Sequence, residues 1–372
     1  MSQHVSRPAR RLVTGLAVAA LPAVALVTAA APAHAATPAQ ASVVAGTVLA
    51  YGGGVGQFNN LRIFLENGQL TVTDNAPLTV GPGCSLVATG KARCGTGITG
   101  ISMALGDLND QVRIDAPLQG FVSGQDGDDT FLPNPTGPGF SQITYDGGPG
   151  LHDRVSYALR AVGVEVSLDD QPNDTGGGHR DNVRSTVEHL VGTAGFDTLI
   201  GSSARNFIEG GLGNDTLRGL GDTDTFITGF VADGADSISG GDGVDFVSYG
   251  NRGRGVQVDT DNVADDGEPG ERDNVGLDVE GLNGTEFDDT LFGGPAANNI
   301  EGRGGVDFIF GSGGADLIFP GDGGDRVFGG TGEDRLLFNR DGDADVLDCG
   351  TERDTVNREA GLDAVIGCEV LV

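Results

Sequence analysis

Cut every nine residues, Gly284 to Leu337 reads GTEFDDTLF, GGPAANNIE, GRGGVDFIF, GSGGADLIF, PGDGGDRVF, GGTGEDRLL. The sixth place is always Asp or Asn (Asp289, Asn298, Asp307, Asp316, Asp325, Asp334) and the eighth is always apolar, from Leu291 to Leu336. Glycine crowds the first four places. Gly192 to Ile227 repeats the rule as GTAGFDTLI, GSSARNFIE, GGLGNDTLR, GLGDTDTFI, with Asp197, Asn206, Asp215 and Asp224 in the sixth place. Two single blocks, GQDGDDTFL from Gly124 and GGDGVDFVS from Gly240, add Asp129 and Asp245. A Gly-rich half with an acid makes a tight turn, because glycine reaches positive φ without steric cost. The remaining three residues, with one apolar at their centre, suffice only for a short strand. Such a strand cannot bury its side chain alone, but a stack of them builds a continuous narrow core. The expected fold is therefore all-β, a flattened solenoid of parallel strands. Alternate blocks lie on opposite sides, and residues eighteen apart stack.

That stacking sets Asp307 over Asp325, Asp316 over Asp334 and Asp197 over Asp215. Neighbouring turns lie about 4.7–4.9 Å apart. Two bare carboxylates at that separation repel by about 3 kcal/mol at an effective dielectric of about 20. A hard divalent cation reverses the sign. Calcium accepts carboxylate and carbonyl oxygens in flexible geometry, and glycine turns expose carbonyls.

The block GGLGNDTLR, with Gly210, Gly211 and Gly213, resembles in full the RTX, or hemolysin-type, calcium-binding nonapeptide repeat. So do GGTGEDRLL, with Gly329, Gly330 and Gly332, and GGDGVDFVS at Gly240. The resemblance spans about residues 120–340. It implies a right-handed parallel β-roll, secretion, and several Ca2+ ions between successive turns. Carried over residue by residue, it makes Asp129, Asp197, Asn206, Asp215, Asp224, Asp245, Asp289, Asn298, Asp307, Asp316, Asp325 and Asp334 the metal-binding set. Asn206 and Asn298 give rungs of lower charge. Ala204, Asp222, Phe287 and Ala296 stand where the repeat has its fourth-place glycine, and leave the turn geometry there open.

The rest of the chain fits this frame. Of 372 residues 65 are Gly, and the formal charge is −31, which disfavours nucleic acid and anionic membranes as partners and favours cations. Residues 1–35 read as a signal peptide, with Arg7, Arg10 and Arg11 ahead of an apolar run and Ala33-His34-Ala35 at the cleavage site; a retained membrane anchor is the other reading. No other segment is apolar enough to span a membrane. Residues 36–115 alternate apolar and polar residues as a small N-terminal β region. The β-roll follows over 116–348, and 349–372 form a C-terminal cap. Four cysteines in a secreted chain suggest local disulfides, Cys84–Cys94 and Cys349–Cys368. A zinc site is the alternative, without a C-x-x-C or nearby His pair in support.

A larger duplication runs through the middle. Asp153-Arg-Val-Ser-Tyr157 recurs as Asp245-Phe-Val-Ser-Tyr249, and Asp181-Asn-Val183 as Asp273-Asn-Val275, always 92 residues on. Residues 145–236 and 237–328 are thus two copies of one unit. Each carries an acidic loop, 169–181 or 259–273, that reads equally as a calcium ligand set or a solvated surface. Asp354 keeps a nine-residue step from Asp345, whereas Asp363 falls off the register.

Catalytic patterns are missing. No H-E-x-x-H or G-x-S-x-G occurs, and a lone histidine such as His189 reads as structural or solvent-facing. The expectation is a secreted, calcium-binding, non-enzymatic β-roll with an adhesive, matrix or surface-interaction role and an unidentified extracellular partner. The alternative is an extracellular enzyme acting on polysaccharide from one face of the solenoid.

Overall fold

The apolar eighth-place residues form the spine of the protein. The structure, a computed structural model, describes residues 37–133, 141–176, 179–338, 341–358 and 361–371. The expected signal peptide lies outside the described residues. Among the described residues all regular structure is β, and no helix is long and apolar enough to cross a membrane.

Successive blocks alternate between two parallel sheets. One takes Gly281–Asn283, Asn299–Gly304, Leu317–Asp322, Arg335–Leu337 and Thr355–Asn357. The other takes Gln257–Asp259, Thr290–Phe292, Phe308–Phe310, Arg326–Thr331, Val346–Thr351 and Ala364–Ile366. Ile300 pairs with Ile318 and Ile318 with Leu336; Leu291 pairs with Ile309 and Ile309 with Val327. Each step is one eighteen-residue turn. The upstream array keeps the same register, Leu199 with Leu217 and Ile208 with Phe226. The centre of each strand is buried and its flanks are half-exposed, because side chains alternate across a strand. Leu291, Ile300, Ile309, Ile318, Val327 and Leu336 belong to one core cluster. Burying each such side chain contributes about 1.5–3 kcal/mol.

Strands of the duplicated unit recur in place. Arg154–Ser156, Glu165–Ser167, His189–Val191 and Thr198–Ile200 are matched by Phe246–Ser248, Gln257–Asp259, Gly281–Asn283 and Thr290–Phe292. Both copies hold a buried arginine on a tyrosine: Arg160 lies 4.5 Å from the Tyr157 ring centroid, and Arg252 lies 5.8 Å from that of Tyr249. Arg160 pairs with Asp181 at 3.0 Å, and Arg252 with Asp233 at 2.5 Å and Glu271 at 2.6 Å. These pairs tie each acidic loop to the strands. Buried charges persist only with such partners.

The N-terminal residues begin with antiparallel pairs, Ala39–Val44 with Val48–Gly52 and Asn60–Glu66 with Gln69–Thr73. Val48–Gly52 then pairs in parallel with Gly100–Asp107, which pairs with Gln119–Asp126, and that strand with Gln142–Asp146. The sheet passes residue 115 without a break. Cys84–Cys94 and Cys349–Cys368 are both disulfide-bonded, so the zinc alternative falls. A cross-link closing a loop of this size contributes about 3 kcal/mol in the chain-entropy account. Replacing both Cys349 and Cys368 by Ser is expected to lower thermal stability and expose the last turns first. Hydrogen exchange would show protection lost from Val346–Thr351 before the upstream strands; uniform loss would argue against an end closure.

Candidate metal-binding ladder

The sixth-place residue stands immediately before each strand, and its side chain reaches back along the stack. The backbone N–H of Asp289 donates to Asp307 Oδ1 at 2.9 Å, that of Asp307 to Asp325 at 2.9 Å, and that of Asp325 to Asp345 at 2.9 Å. On the other side, Asn298 donates to Asp316 at 2.8 Å, Asp316 to Asp334 at 2.9 Å, and Asp334 to Asp354 at 2.9 Å. Upstream, Asp197 donates to Asp215 and Asp215 to Asp236, each at 2.8 Å, and Asp236 donates to Asp273 at 2.9 Å. Asn206 donates to Asp224 at 2.7 Å and Asp224 to Asp245 at 2.8 Å. The series begins well ahead of the nonapeptides: Asn59 donates to Asp110 at 2.6 Å, Asp110 to Asp129 at 2.7 Å and Asp129 to Asp153 at 2.7 Å.

One oxygen of each carboxylate is thus used, and the second decides the chemistry. Oδ2 of Asp110, Asp129, Asp153, Asp215, Asp224, Asp245, Asp307, Asp316, Asp325, Asp334 and Asp354 is buried without a hydrogen-bond partner. Asp307, Asp316, Asp325 and Asp334 are each 1 % exposed. A bare buried carboxylate oxygen is costly unless a cation or proton answers it. The first-place glycines show where. A Cβ built on Gly302 would fall against Asp307 Oδ2 and the Pro320 carbonyl, and one on Gly311 against Asp316 Oδ2 and the Gly329 carbonyl. On Gly329 it would meet Asp334 Oδ2 and the Cys349 carbonyl, and on Gly210 it would meet Asp215 Oδ2. Each space holds hard oxygens from one carboxylate and, in most turns, a main-chain carbonyl of the next. That donor set suits calcium.

Burial pushes these carboxyls up, Asp307 to about 8, Asp129, Asp215, Asp224 and Asp316 to about 7, and Asp245 and Asp325 to about 6. The N–H that each accepts pulls the other way, and neighbouring carboxylates add to the rise for most of them.

Gly211, Gly213, Gly330 and Gly332 adopt φ of +102°, +136°, +111° and +128°, where a side chain is strained. Where the second place is not glycine the backbone still goes left-handed, as at Leu220 (+85°), Arg303 (+83°) and Ser312 (+75°). Three turns are built otherwise. Thr193, Ser202 and Thr285 hold the second place, and their N–H groups donate to Asp197 Oδ2 at 2.6 Å, Asn206 Oδ1 at 2.6 Å and Asp289 Oδ2 at 2.5 Å. Their hydroxyls accept the fourth-place N–H of Gly195, Ala204 and Phe287. The hydroxyl turn explains why Ala204 and Phe287 are tolerated without a fourth-place glycine, whereas Asp222 keeps φ of +67°. In these turns the protein's own donors already occupy Asp197, Asn206 and Asp289. Asn298 differs: its Oδ1 is bare while Nδ2 donates to the Glu280 carbonyl at 3.3 Å.

Sequence periodicity groups all twelve residues alike, and it misses Asp153, Asp236 and Asp273 as rungs; GDLNDQVRI, which reads as an irregular first turn, and Asp345 do take their places in the ladder. It also sets Asp363 off the register. That is an error: Asp363 stands nine residues beyond Asp354 and eighteen beyond Asp345, and the Asp345 N–H faces its Oδ1 at 3.4 Å. Insertions of a few residues break the nine-residue count but leave the stack intact. The signal that survives is Asp-x-apolar, as in Asp236-Ser-Ile238, Asp110-Gln-Val112 and Asp363-Ala-Val365. In the acidic loops, Asp174 and Asp266 each accept two main-chain N–H groups, at 2.6–2.8 Å, which closes the loop from within. One oxygen each from Asp259, Asp265 and Asp266 lies within 4.8 Å of the others.

Gly311→Ala tests the cradle. Its Cβ must displace two oxygens, at about 1–3 kcal/mol for such overpacking. The calcium midpoint for folding is expected to rise several-fold. Gly253→Ala, with nothing within 4 Å of the added carbon, is the control and should leave it unchanged.

Residues 191–226, 228–251, 283–318 and 319–337 match the RTX calcium-binding nonapeptide repeat in four copies. No curated protein shows significant similarity to the chain.

Proposed function

We propose, for a chain that carries four copies of the RTX calcium-binding nonapeptide repeat, a secreted right-handed β-roll whose folding is driven by Ca2+. The observation that carries this reading is the row of buried, partnerless Oδ2 atoms, most of them beside first-place glycines, with Pro320 in that place before Asp325. Asp129, Asp215, Asp224, Asp245, Asp307, Asp316, Asp325 and Asp334 would hold the ions, with main-chain carbonyls of the adjoining turns. Asp110, Asp153 and Asp354 share the same bare oxygen and extend the set beyond the matched repeats. Asn298 would contribute a neutral oxygen. Asp197, Asn206 and Asp289 would act as end rungs that the protein closes with Thr or Ser. When bound, calcium supplies positive charge to oxygens that otherwise repel. Binding free energy is then folding free energy, as for any site that the unfolded chain lacks.

In this reading the protein is not an enzyme but a rigid adhesive, matrix or surface-interaction element. A cleft of about 620 Å³ lies against the first acidic loop, lined by Glu165, Asp169, Asp170 and Asp174 together with Ile200 and Leu220. Asp170 is engaged by Ser185, Asp169 by Gln171 and Asn173, and Asp174 by Ser167 and Val183. That engagement supports a structural loop over a pair of carboxylates poised for acid–base work.

The test is far-UV circular dichroism during a calcium titration, with magnesium as control. A disordered spectrum that becomes β-like with calcium alone is the expected result. A β spectrum that persists in chelator would sink the folding switch. Turnover of any acidic polysaccharide would overturn the non-enzymatic reading.

A further inference from the structure

His189 is not alone. It opens the strand His189–Val191, whose outward row runs in register from Arg154 through His189 to Phe207. Its ring stacks on Phe207 at 4.3 Å between centroids, nearly parallel at 20°. His152 comes from the turn before the neighbouring strand, and its Nδ1 stands 3.1 Å from His189 Nε2. Both main chains are fixed: the His152 N–H donates to Asp128 Oδ1 at 3.2 Å, and the His189 N–H to the Asp153 carbonyl at 2.8 Å. One nitrogen of each ring is thus brought beside the other from fixed main-chain anchors, with the rings edge-on at 76°, and His152 is open to solvent.

Without an ion, one ring nitrogen must donate to the other. The same separation fits two ligands of one metal. Zinc–imidazole bonds of about 2.0–2.1 Å, at angles between square and tetrahedral, set the two nitrogens about 2.9–3.4 Å apart. We propose that His152 and His189 form a second metal site, made of nitrogen donors, that takes a borderline divalent ion such as Ni2+, Cu2+ or Zn2+ independently of the oxygen ladder. Water completes the coordination on the exposed side. Selectivity follows from ligand type: imidazole suits these ions, whereas carboxylate and carbonyl oxygens suit calcium. Calcium does not displace the ion from the pair, and the ion does not replace calcium in the ladder.

The experiment uses the untagged secreted chain, residues 36–372, which leaves out His4 and His34 of the expected signal peptide, in saturating calcium, with Ni2+ binding followed by calorimetry and Cu2+ coordination by electron paramagnetic resonance. The expected result is one site whose affinity falls at least tenfold in both His152→Ala and His189→Gln, with nitrogen hyperfine structure lost from the Cu2+ spectrum. His179→Ala, at a histidine outside the pair, should bind as the parent does, and the calcium midpoint should not move in any variant. Should His189→Gln fail to fold, the exposed His152→Ala decides alone. Unchanged Ni2+ affinity in His152→Ala, or Ni2+ displaced by calcium over the range that fills the ladder, overturns the proposal.

Discussion

Asp325→Ala is expected to raise the calcium midpoint for folding by more than tenfold, while Glu301→Ala, an exposed strand position, leaves it within twofold. Asp325 acts twice. Its Oδ1 accepts the Asp307 N–H at 2.9 Å, and its Oδ2 is buried without a partner in a block whose first place is Pro320. Alanine removes both, leaving a buried N–H unsatisfied at a cost of about 1–3 kcal/mol before any ion is considered. Asp325→Asn separates the two roles. An amide oxygen can keep the N–H bond, as Asn206 does for its Ser202 donor, but brings no charge. Asn should therefore sit between the parent and Ala in calcium midpoint. If Asn and Ala behave alike, charge alone matters; if Asn matches the parent, Oδ2 does not meet a cation.

Acidifying the calcium-free protein is expected to build β structure. The ladder carboxyls of the metal-free fold are pushed up to between about 6 and 8, as at Asp325, Asp316 and Asp307, chiefly by burial. In the unfolded chain an Asp titrates near 3.9. A raised folded value means that the fold holds its protons more tightly than the open chain does. Their contribution is complete below about pH 4 and is lost as pH rises through about 6–8. Calcium-free protein should thus be most β-like near pH 4–5 and loosen toward pH 8. With calcium the trend reverses, because protons compete with the ion and the midpoint climbs as pH falls. Circular dichroism at pH 5 and pH 8.5, with and without calcium, checks both halves. Loss of structure on acidification without calcium would mean that these carboxylates are paired in the metal-free fold.

The architecture was legible because its period is short and its chemistry uniform. Leu291, Ile309 and Val327 fall eighteen apart and pair as that spacing requires. The 92-residue duplication was legible because Tyr157 and Tyr249, with Arg160 and Arg252, fill equivalent buried places. What escaped was anything set by where a side chain points. Nothing in GTEFDDTLF announces that Thr285 will close Asp289 from within its own turn. Asp153 has its glycines in GGPGLHD but stands seventh and not sixth in the block, so a strict nine-residue count passes over it. The His152–His189 approach joins residues 37 apart through an irregular connection, and spacing alone cannot forecast it.

The ladder counts turns, not residues. Asp307 and Asp325 are eighteen apart, Asp325 and Asp345 twenty, Asp215 and Asp236 twenty-one, and Asp236 and Asp273 thirty-seven, yet every step ends in the same N–H to carboxylate bond. The perimeter of a turn is elastic while its pitch is fixed. Lengthening a loop costs little chain entropy, only about 0.6 kcal/mol per doubling. Within the segments where the count slips, the exposed tips 230–232 and 261–265 are therefore natural ports for foreign peptide, with Asp233, Asp266 and Glu271 left in place to hold Arg252 and close the loop, and the scaffold can display a graft at a known height along the stack.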